Sequence, residues 1–237
     1  MRRRILAHRP SCDISGPMVP FSFCSVDMCA LPEGGLFHPG SASLLLADLH
    51  LEKASSYAAR GQMLPPYDSI ETLRRVAALA GRTGARALYC LGDSFHDRGG
   101  IARLGEEARG LLGELTARLR WTWIVGNHDR AFDDPLGGHV VAEAELAGLW
   151  LRHEADPADP RPEISGHYHP KYKVTLRGRR VSRPCFVAGR SKLILPSFGV
   201  LTGGMDAADP AILRAVGRDA RALIPIREKL LGFPLAA

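Results

Sequence analysis

The chain has 237 residues, enough for one large domain with a sizeable core, and its 46% hydrophobic and 24% charged residues are those of an ordinary soluble globular protein. Its longest apolar runs, such as 44–47 and 193–195, are strand-sized and far short of the roughly 20 residues a bilayer demands, so neither a membrane span nor a membrane partner is expected. The formal net charge of +6 favours a polyanionic partner, although arginines scattered over surface helices (Arg74, Arg75, Arg218, Arg221) would give the same total without one.

In chain order, residues 1–20 read as a poorly ordered basic extension. Met1-Arg2-Arg3-Arg4 is basic, but no sustained apolar run follows it, which argues against a secretory signal. Residues 21–237 read as a single domain. A leucine-rich strand over 43–47 ends at Asp48-Leu49-His50. Residues 68–80 carry Ile70, Leu73, Val76, Ala77 and Ala80 at helical spacing, with Asp68 or Ser69 as the cap and Glu71 shortly after. A strand over 85–91 runs into Gly92-Asp93 and, three residues on, His96. A second amphipathic helix is expected over 102–119, then a strand over 121–125 ending at Gly126-Asn127-His128-Asp129. Further strands are expected over 140–143 and 149–152, the latter leading into His153, and over 163–165 before Gly166-His167-Tyr168-His169. From Tyr172 the chain turns β-rich (173–176, 180–181, 185–187, 192–195 and 198–201), with Arg177-Gly178 as a turn, a short helix over 210–216 and a closing strand over 222–226.

The five cysteines form no CxxC pair, and their odd number argues against a full disulfide framework. Cys90 and Cys185 lie in or beside apolar runs and read as small core residues. Reduced thiols suit a cytoplasmic protein.

Five of the nine histidines fall inside the four acidic or amide-containing clusters, and a sixth, His153, lies between the last two. Asp, Asn and His supply the oxygen and imidazole donors of a divalent metal pair, which activates water against phosphoesters. Each cluster follows an apolar run, so its residues belong on loops at the carboxyl ends of strands, where open α/β sheets bind ligands. Asp48 and His50 point the same way from an extended segment, since side chains alternate with period two, and His167 and His169 are again at i and i+2. Asp93 after Gly92 is the natural bridging carboxylate, and Asn127 adds a neutral oxygen. Any one piece alone is weak, since a histidine after a strand is usually structural; the ordered set is the signal.

The order DxH, GD, GNHD, H, GHxH over about 43–169 resembles that of the calcineurin-like metallophosphoesterase superfamily. The resemblance implies an α/β fold, a four-layer α-β-β-α sandwich with a dinuclear centre. The first metal would take Asp48, His50, Asp93 and His169, and the second Asp93, Asn127, His153 and His167. His128 matches the superfamily's catalytic histidine, oriented by Asp129 or a backbone carbonyl. Gly92–Gly99 reads GDSFHDRG and the fourth cluster ends in Asp129, unlike the GDxxDRG and GNHE of protein Ser/Thr phosphatases; His96 at the +3 position resembles the nuclease branch. The flanks 47–65 and 183–204 are similar to the PdeM family, the ligase-associated DNA damage response endonucleases, with Glu52 standing where glycine is expected.

The resemblance therefore implies a DNA endonuclease of damage repair, hydrolysing phosphodiesters with a metal-bridging hydroxide. Mn²⁺ is the ion it carries, and Zn²⁺ or Fe²⁺ suit the same donors. Lys53, Arg60, Arg98, Arg130 and Lys171 lie near the clusters in sequence and are candidates for binding DNA phosphates. No GxxxxGK[ST] motif is present, so an ATP-driven step would need a partner; association with a DNA ligase or helicase is implied by the family alone. The rival readings are a phosphodiesterase or phosphatase on small nucleotides, and a binding module that has lost catalysis, which would predict a missing ligand.

Overall fold

The computed structural model describes residues 17–128 and 137–235. A hairpin of β1 (Val19–Phe23) and β2 (Val26–Ala30) opens it, followed by β3 (Leu36–His38) and β4 (Ser43–Leu46). Helices α1 (Lys53–Ala58) and α2 (Asp68–Thr83) lead to β5 (Ala87–Leu91), and α3 (Gly100–Arg103) and α4 (Glu106–Arg118) lead to β6 (Arg120–Ile124). With β7 (His139–Val141) these strands form a sheet in the order β1-β2-β3-β4-β5-β6-β7, antiparallel up to β4 and parallel from β4 onward. The second half supplies β8 (Ala144–Leu146), β9 (Leu149–Leu151), β10 (Glu163–Ser165), β11 (Lys171–Leu176), β12 (Arg179–Pro184), β13 (Phe186–Ala188), β14 (Lys192–Ile194), α5 (Pro210–Val216), β15 (Arg221–Ile226) and β16 (Lys229–Pro234). Its sheet runs β16-β15-β13-β14-β10-β9-β8, with β9, β10 and β14 parallel, while β11 and β12 make a separate ribbon.

Pleat alternation sorts the apolar residues into layers. On β4, Leu44 and Leu46 turn outward, where Leu73, Val76 and Leu79 of α2 and Leu112 and Leu115 of α4 cover them together with Trp121 and Trp123. Leu45 and Ala47 turn inward to meet Leu91, Ile124, Leu151, Ile164, Phe186 and Leu193 between the sheets. Val187 and Ile194 face the other outside, against Ile212 and Ala215 of α5. The result is the four-layer α-β-β-α sandwich. A strand buried on both faces is continuously apolar, as Leu44–Leu45–Leu46 is. No helix among the described residues is long and apolar enough to cross a membrane. Cys24, Cys29, Cys90 and Cys185 are free thiols, and Cys90 and Cys185 are fully buried as expected.

Several local expectations change. Val19 and Pro20, assigned to the extension, belong to β1; residues 1–16 lie outside the described set. Neither Asp68 nor Ser69 caps α2, whose N-cap is Tyr67, because both side chains are engaged by the preceding loop. The helix expected over 102–119 is two, broken where Leu104 and Gly105 turn extended so that Leu104 reaches the core. Residues 198–201 form no strand: the amides of Phe198, Gly199 and Val200 bond Ala47 O, Asp48 O and Thr72 Oγ1, which makes this segment a wall against the Asp48 loop. Strands β1–β3, β8 and β16 were not foreseen.

Candidate metal centre

The parallel strands β4, β5 and β6 of one sheet and β9 and β10 of the other all deliver their following loops to one rim. The loops after β4 and β5 run side by side, with Asp48 N–H bonded to Gly92 O (3.2 Å) and His50 N–H to Asp93 O (2.9 Å). In the other sheet the loops after β9 and β10 also run side by side, with Gly166 N–H bonded to His153 O at 2.9 Å. A Cβ on Gly92 would strike the His153 ring, and one on Gly126 would strike the backbone nitrogen and carboxylate of Asp93, so these loops close up only because both positions are glycine.

The segments are not extended, contrary to the sequence expectation. Asp48 (φ 54°), His50 (φ 44°), Asp93 (φ 46°), His167 (φ 73°) and His169 (φ 48°) all occupy the left-handed region. It is this alternation of left-handed residues, not a strand pleat, that turns the i and i+2 side chains to one side. Each such residue costs about 1–2 kcal/mol, and strain of this kind collects at functional sites.

Two groups of donors result. Asp48, His50 and His169 offer atoms all within 4.8 Å of one another, as do Asp93, His153 and His167. In the first, His50 Nε2 lies 3.2 Å from His169 Nε2, which is 3.4 Å from Asp48 Oδ1. In the second, His153 Nε2 lies 3.1 Å from His167 Nδ1 and 3.5 Å from Asp93 Oδ1. Asp93 stands between them: its Oδ2 is 3.9 Å from His50 Nε2 and its Oδ1 accepts the His128 N–H at 3.0 Å. The Asn127 amide reaches to 3.3 Å from His167 Nδ1, and an end-for-end turn of that amide presents its oxygen. Nitrogens facing each other across about 3 Å cannot both be protonated. Burial first, then the neighbouring His169, His96, Lys53 and His128, push the His50 imidazole down to about 2. Burial and His153 likewise hold His167 below its ordinary value. Neutral imidazoles beside two buried carboxylates are the protonation state a divalent cation requires.

His96 and His128 stand beside these groups, their rings stacked at 5.9 Å and 13°, each about one ring-width from His50. The His128 side chain is 47% exposed and its Nε2 is 3.7 Å from Asp93 Oδ2. Burial, and then the charges of Lys53, His128 and Arg60, lower the His96 imidazole. The charges of Lys53 and Arg60 thus reach His96. Arg98 is exposed, and nothing among the described residues ties it to the cluster. Asp129 and Arg130 lie outside the described residues.

Glu52 does not face the metal groups. Its Oε1 accepts from Ser69 Oγ at 2.7 Å and its own N–H donates to the same hydroxyl at 2.8 Å, fastening the His50 loop to the first turn of α2. Asp97 likewise serves structure, accepting from Arg103 Nη2 (2.8 Å) and Gly99 N–H (2.9 Å). Sequence reasoning missed two contacts behind the histidines. His153 Nδ1 faces Leu91 O at 3.0 Å, which selects the tautomer leaving Nε2 a bare acceptor. His167 Nε2 lies 3.7 Å from Glu154 Oε1, a carboxylate next to His153 in sequence with no motif to mark it. Arg152, one residue before His153, is buried among Glu143, Asp156, Asp159 and Glu163 at 2.9–3.6 Å, and Lys192 closes the network on Glu163 at 2.9 Å.

The family model of calcineurin-like phosphoesterases matches residues 43–193. A nuclease of Pseudomonas putida, MPE, has a crystal structure similar to this one, at 30% sequence identity over 90% of this chain and all of that one, with a TM-score of 0.71. Yfce, a phosphoesterase from E. coli, is 17% identical over 80% of this chain and 96% of its own, with a TM-score of 0.43. No curated protein matches the chain.

Proposed function

The chain belongs to the calcineurin-like phosphoesterase family and is a metal-dependent hydrolase, and on that footing we propose that it is a nuclease cutting DNA phosphodiesters in damage repair. The observation that carries this reading is the pair of donor groups joined at Asp93, next to two histidines that belong to neither group. The donors fit divalent ions: convergent imidazole nitrogens and carboxyl oxygens, with Asn127 adding a neutral oxygen. Asp48, His50, Asp93 and His169 would hold one ion, and Asp93, Asn127, His153 and His167 the other; Mn²⁺ suits this set. When bound, such a pair activates water and neutralises the charge that builds on phosphate oxygens.

The remaining roles fall to the chain's own side chains. His128, half exposed at the rim, protonates the leaving oxygen. His96 stacks on it and stays uncharged, so it donates one hydrogen bond on the same side without adding a third cation. Lys53 and Arg60 orient the flanking phosphates. The DNA substrate is supported by the likeness to the Pseudomonas putida nuclease, and a repair role would join the protein with a DNA ligase or helicase in the cytoplasm. The test is to give the Mn²⁺-loaded protein supercoiled plasmid, single-stranded DNA and a cyclic dinucleotide, with Asp93→Asn alongside. Nicking or degradation lost in Asp93→Asn together with metal content is the expected result. Turnover of the cyclic dinucleotide with both DNAs intact would overturn the nuclease reading.

A further inference from the structure

The two donor groups are unequal in charge. The first has Asp48 to itself and a share of Asp93, whereas the second has only its share of Asp93, with neutral Asn127 and two imidazoles. The imidazoles also differ in what stands behind them. His50 Nδ1 is buried with no hydrogen-bond partner among the described residues, and His153 Nδ1 faces the neutral carbonyl of Leu91 at 3.0 Å. Among the described residues, only His167 meets a carboxylate from outside the donor groups: Glu154, whose Oε1 lies 3.7 Å from its Nε2.

The register of the second sheet puts that carboxylate there. Strands β9 and β10 are parallel, with Trp150 beside Glu163 and Leu151 beside Ile164. Carried past the strand ends, the same register sets His153 beside Gly166, whose N–H bonds its carbonyl at 2.9 Å, and Glu154 beside His167. His167, at φ 73°, presents its Nδ1 to the donor group, 3.1 Å from His153 Nε2 and 3.3 Å from the Asn127 amide. Its Nε2 is thereby turned outward to Glu154. Tyr168 donates its hydroxyl to the same Oε1 at 3.4 Å and sets its ring edge-on to His167, at 4.9 Å and 85°. Two successive residues of the last cluster therefore converge on Glu154, a half-exposed side chain in none of the roles above.

We infer that Glu154 is a positioning residue for the second ion alone: it keeps the His167 proton on Nε2, leaves Nδ1 bare, and lends the second group the negative charge that Asp48 supplies to the first. A carboxylate behind a metal-binding imidazole fixes both the tautomer and the orientation of the ring. Glu154 acts through His167 and touches no reacting atom. Glu143 and Asp156 line the same shallow depression of about 410 Å³, but both are committed to Arg152, at 3.2 and 3.6 Å. Negative charge on that surface is thus common to three side chains, and contact with His167 belongs to one. The inference rests on the ligand sets proposed above and is independent of whether the substrate is DNA.

The test titrates Mn²⁺ into the unaltered protein, Glu154→Gln and Asp156→Asn, counting free ion by its EPR signal. Glu154→Gln should weaken one of the two ions by about 10–100-fold and leave the other within about twofold. The Tm of the metal-free protein should not move, and excess Mn²⁺ should restore turnover of bis(p-nitrophenyl) phosphate. Asp156→Asn removes the same charge from the same depression and should bind both ions as the unaltered protein does. In the Asn127→Ala background, where a donor of the second group is already gone, adding Glu154→Gln should leave the remaining first-group ion untouched. The inference is overturned by equal weakening of both ions, by no weakening, or by the same effect from Asp156→Asn. Loss of the first-group ion in the Asn127→Ala background, or turnover that excess Mn²⁺ fails to restore, would overturn it as well. Failure of the metal-pair reading looks different: the unaltered protein itself would bind one ion or none.

Discussion

Glu52 sits in the left-handed region (φ 62°, ψ 28°) where the family resemblance leads one to expect glycine, and replacing it separates two opposing effects. The buried carboxylate accepts from Ser69 Oγ at 2.7 Å, a hydrogen bond to a charged group contributing about 1.5–3 kcal/mol. Against it stands a left-handed cost of about 1–2 kcal/mol, which any side chain incurs and glycine does not. Glu52→Ala loses the bond and keeps the strain, so it should destabilise by about 2 kcal/mol. Glu52→Gly loses the same bond but relieves the strain, leaving a net loss of about 1 kcal/mol or less. For a chain of this length, 1 kcal/mol corresponds to about 2–4 °C in Tm. Urea unfolding and thermal melts of the metal-free variants, with Glu52→Gln as a control that keeps an acceptor, read the order directly. Alanine and glycine variants of equal stability, or glycine the less stable, would refute the balance drawn from this geometry. Because the same bond fastens the His50 loop, metal affinity should fall in the order glutamine, glycine, alanine.

Three further outcomes are expected. His128→Ala should lower kcat by about 10²–10⁴-fold while both metals stay bound, since its ring belongs to neither donor group; metal loss in parallel would contradict that role. Arg152→Met should cost about 3–5 kcal/mol in chemical unfolding, because it leaves the fully buried Glu163 with Lys192 as its one remaining cation partner among the described residues; a loss under about 1 kcal/mol would show the network to be dispensable. Burial raises the Glu33 carboxyl, but the paired Arg82 guanidinium overcomes this and holds it below the usual range. A depressed carboxyl stabilises the fold above its unfolded value of about 4.3 and loses that contribution as pH falls through the folded value. The Tm gap between the unaltered protein and Arg82→Gln should therefore be constant above about pH 5 and shrink in acid; a gap widening toward low pH would reverse the assignment.

What could be read from the sequence follows from where chemistry leaves a local mark. Metal donors must lie at strand ends, so an apolar run followed by Asp, Asn or His announces both strand and site, as at Leu46–Asp48 and Ile124–Asn127. Helix α2 was legible because its buried stripe, Leu73, Val76 and Ala80, repeats every three or four residues. Strands β1 to β3 were not, since short antiparallel strands broken by Pro32, Gly34 and Gly35 carry little periodicity. Left-handed φ at Asp48, His50 and His169 has no signature in residue type, so the sequence puts these side chains on one side for a wrong geometric reason. Glu52 was placed near the metals by its neighbours in sequence, whereas its partner Ser69 lies 17 residues away.

The donor groups also have a mechanical meaning for the sandwich. Asp48, His50, Asp93 and Asn127 hang from one sheet, and His153, His167 and His169 from the other, so each group takes donors from both. An ion in either position is then a clasp between the two halves, and prying the sheets apart and releasing the ion are one event. By mass action a clasp filled at a hundred times its dissociation constant adds about 2.7 kcal/mol to the fold. The cell's free metal would set the melting point of this protein as well as its rate, and starvation for that metal would mark it for degradation and not merely idle it.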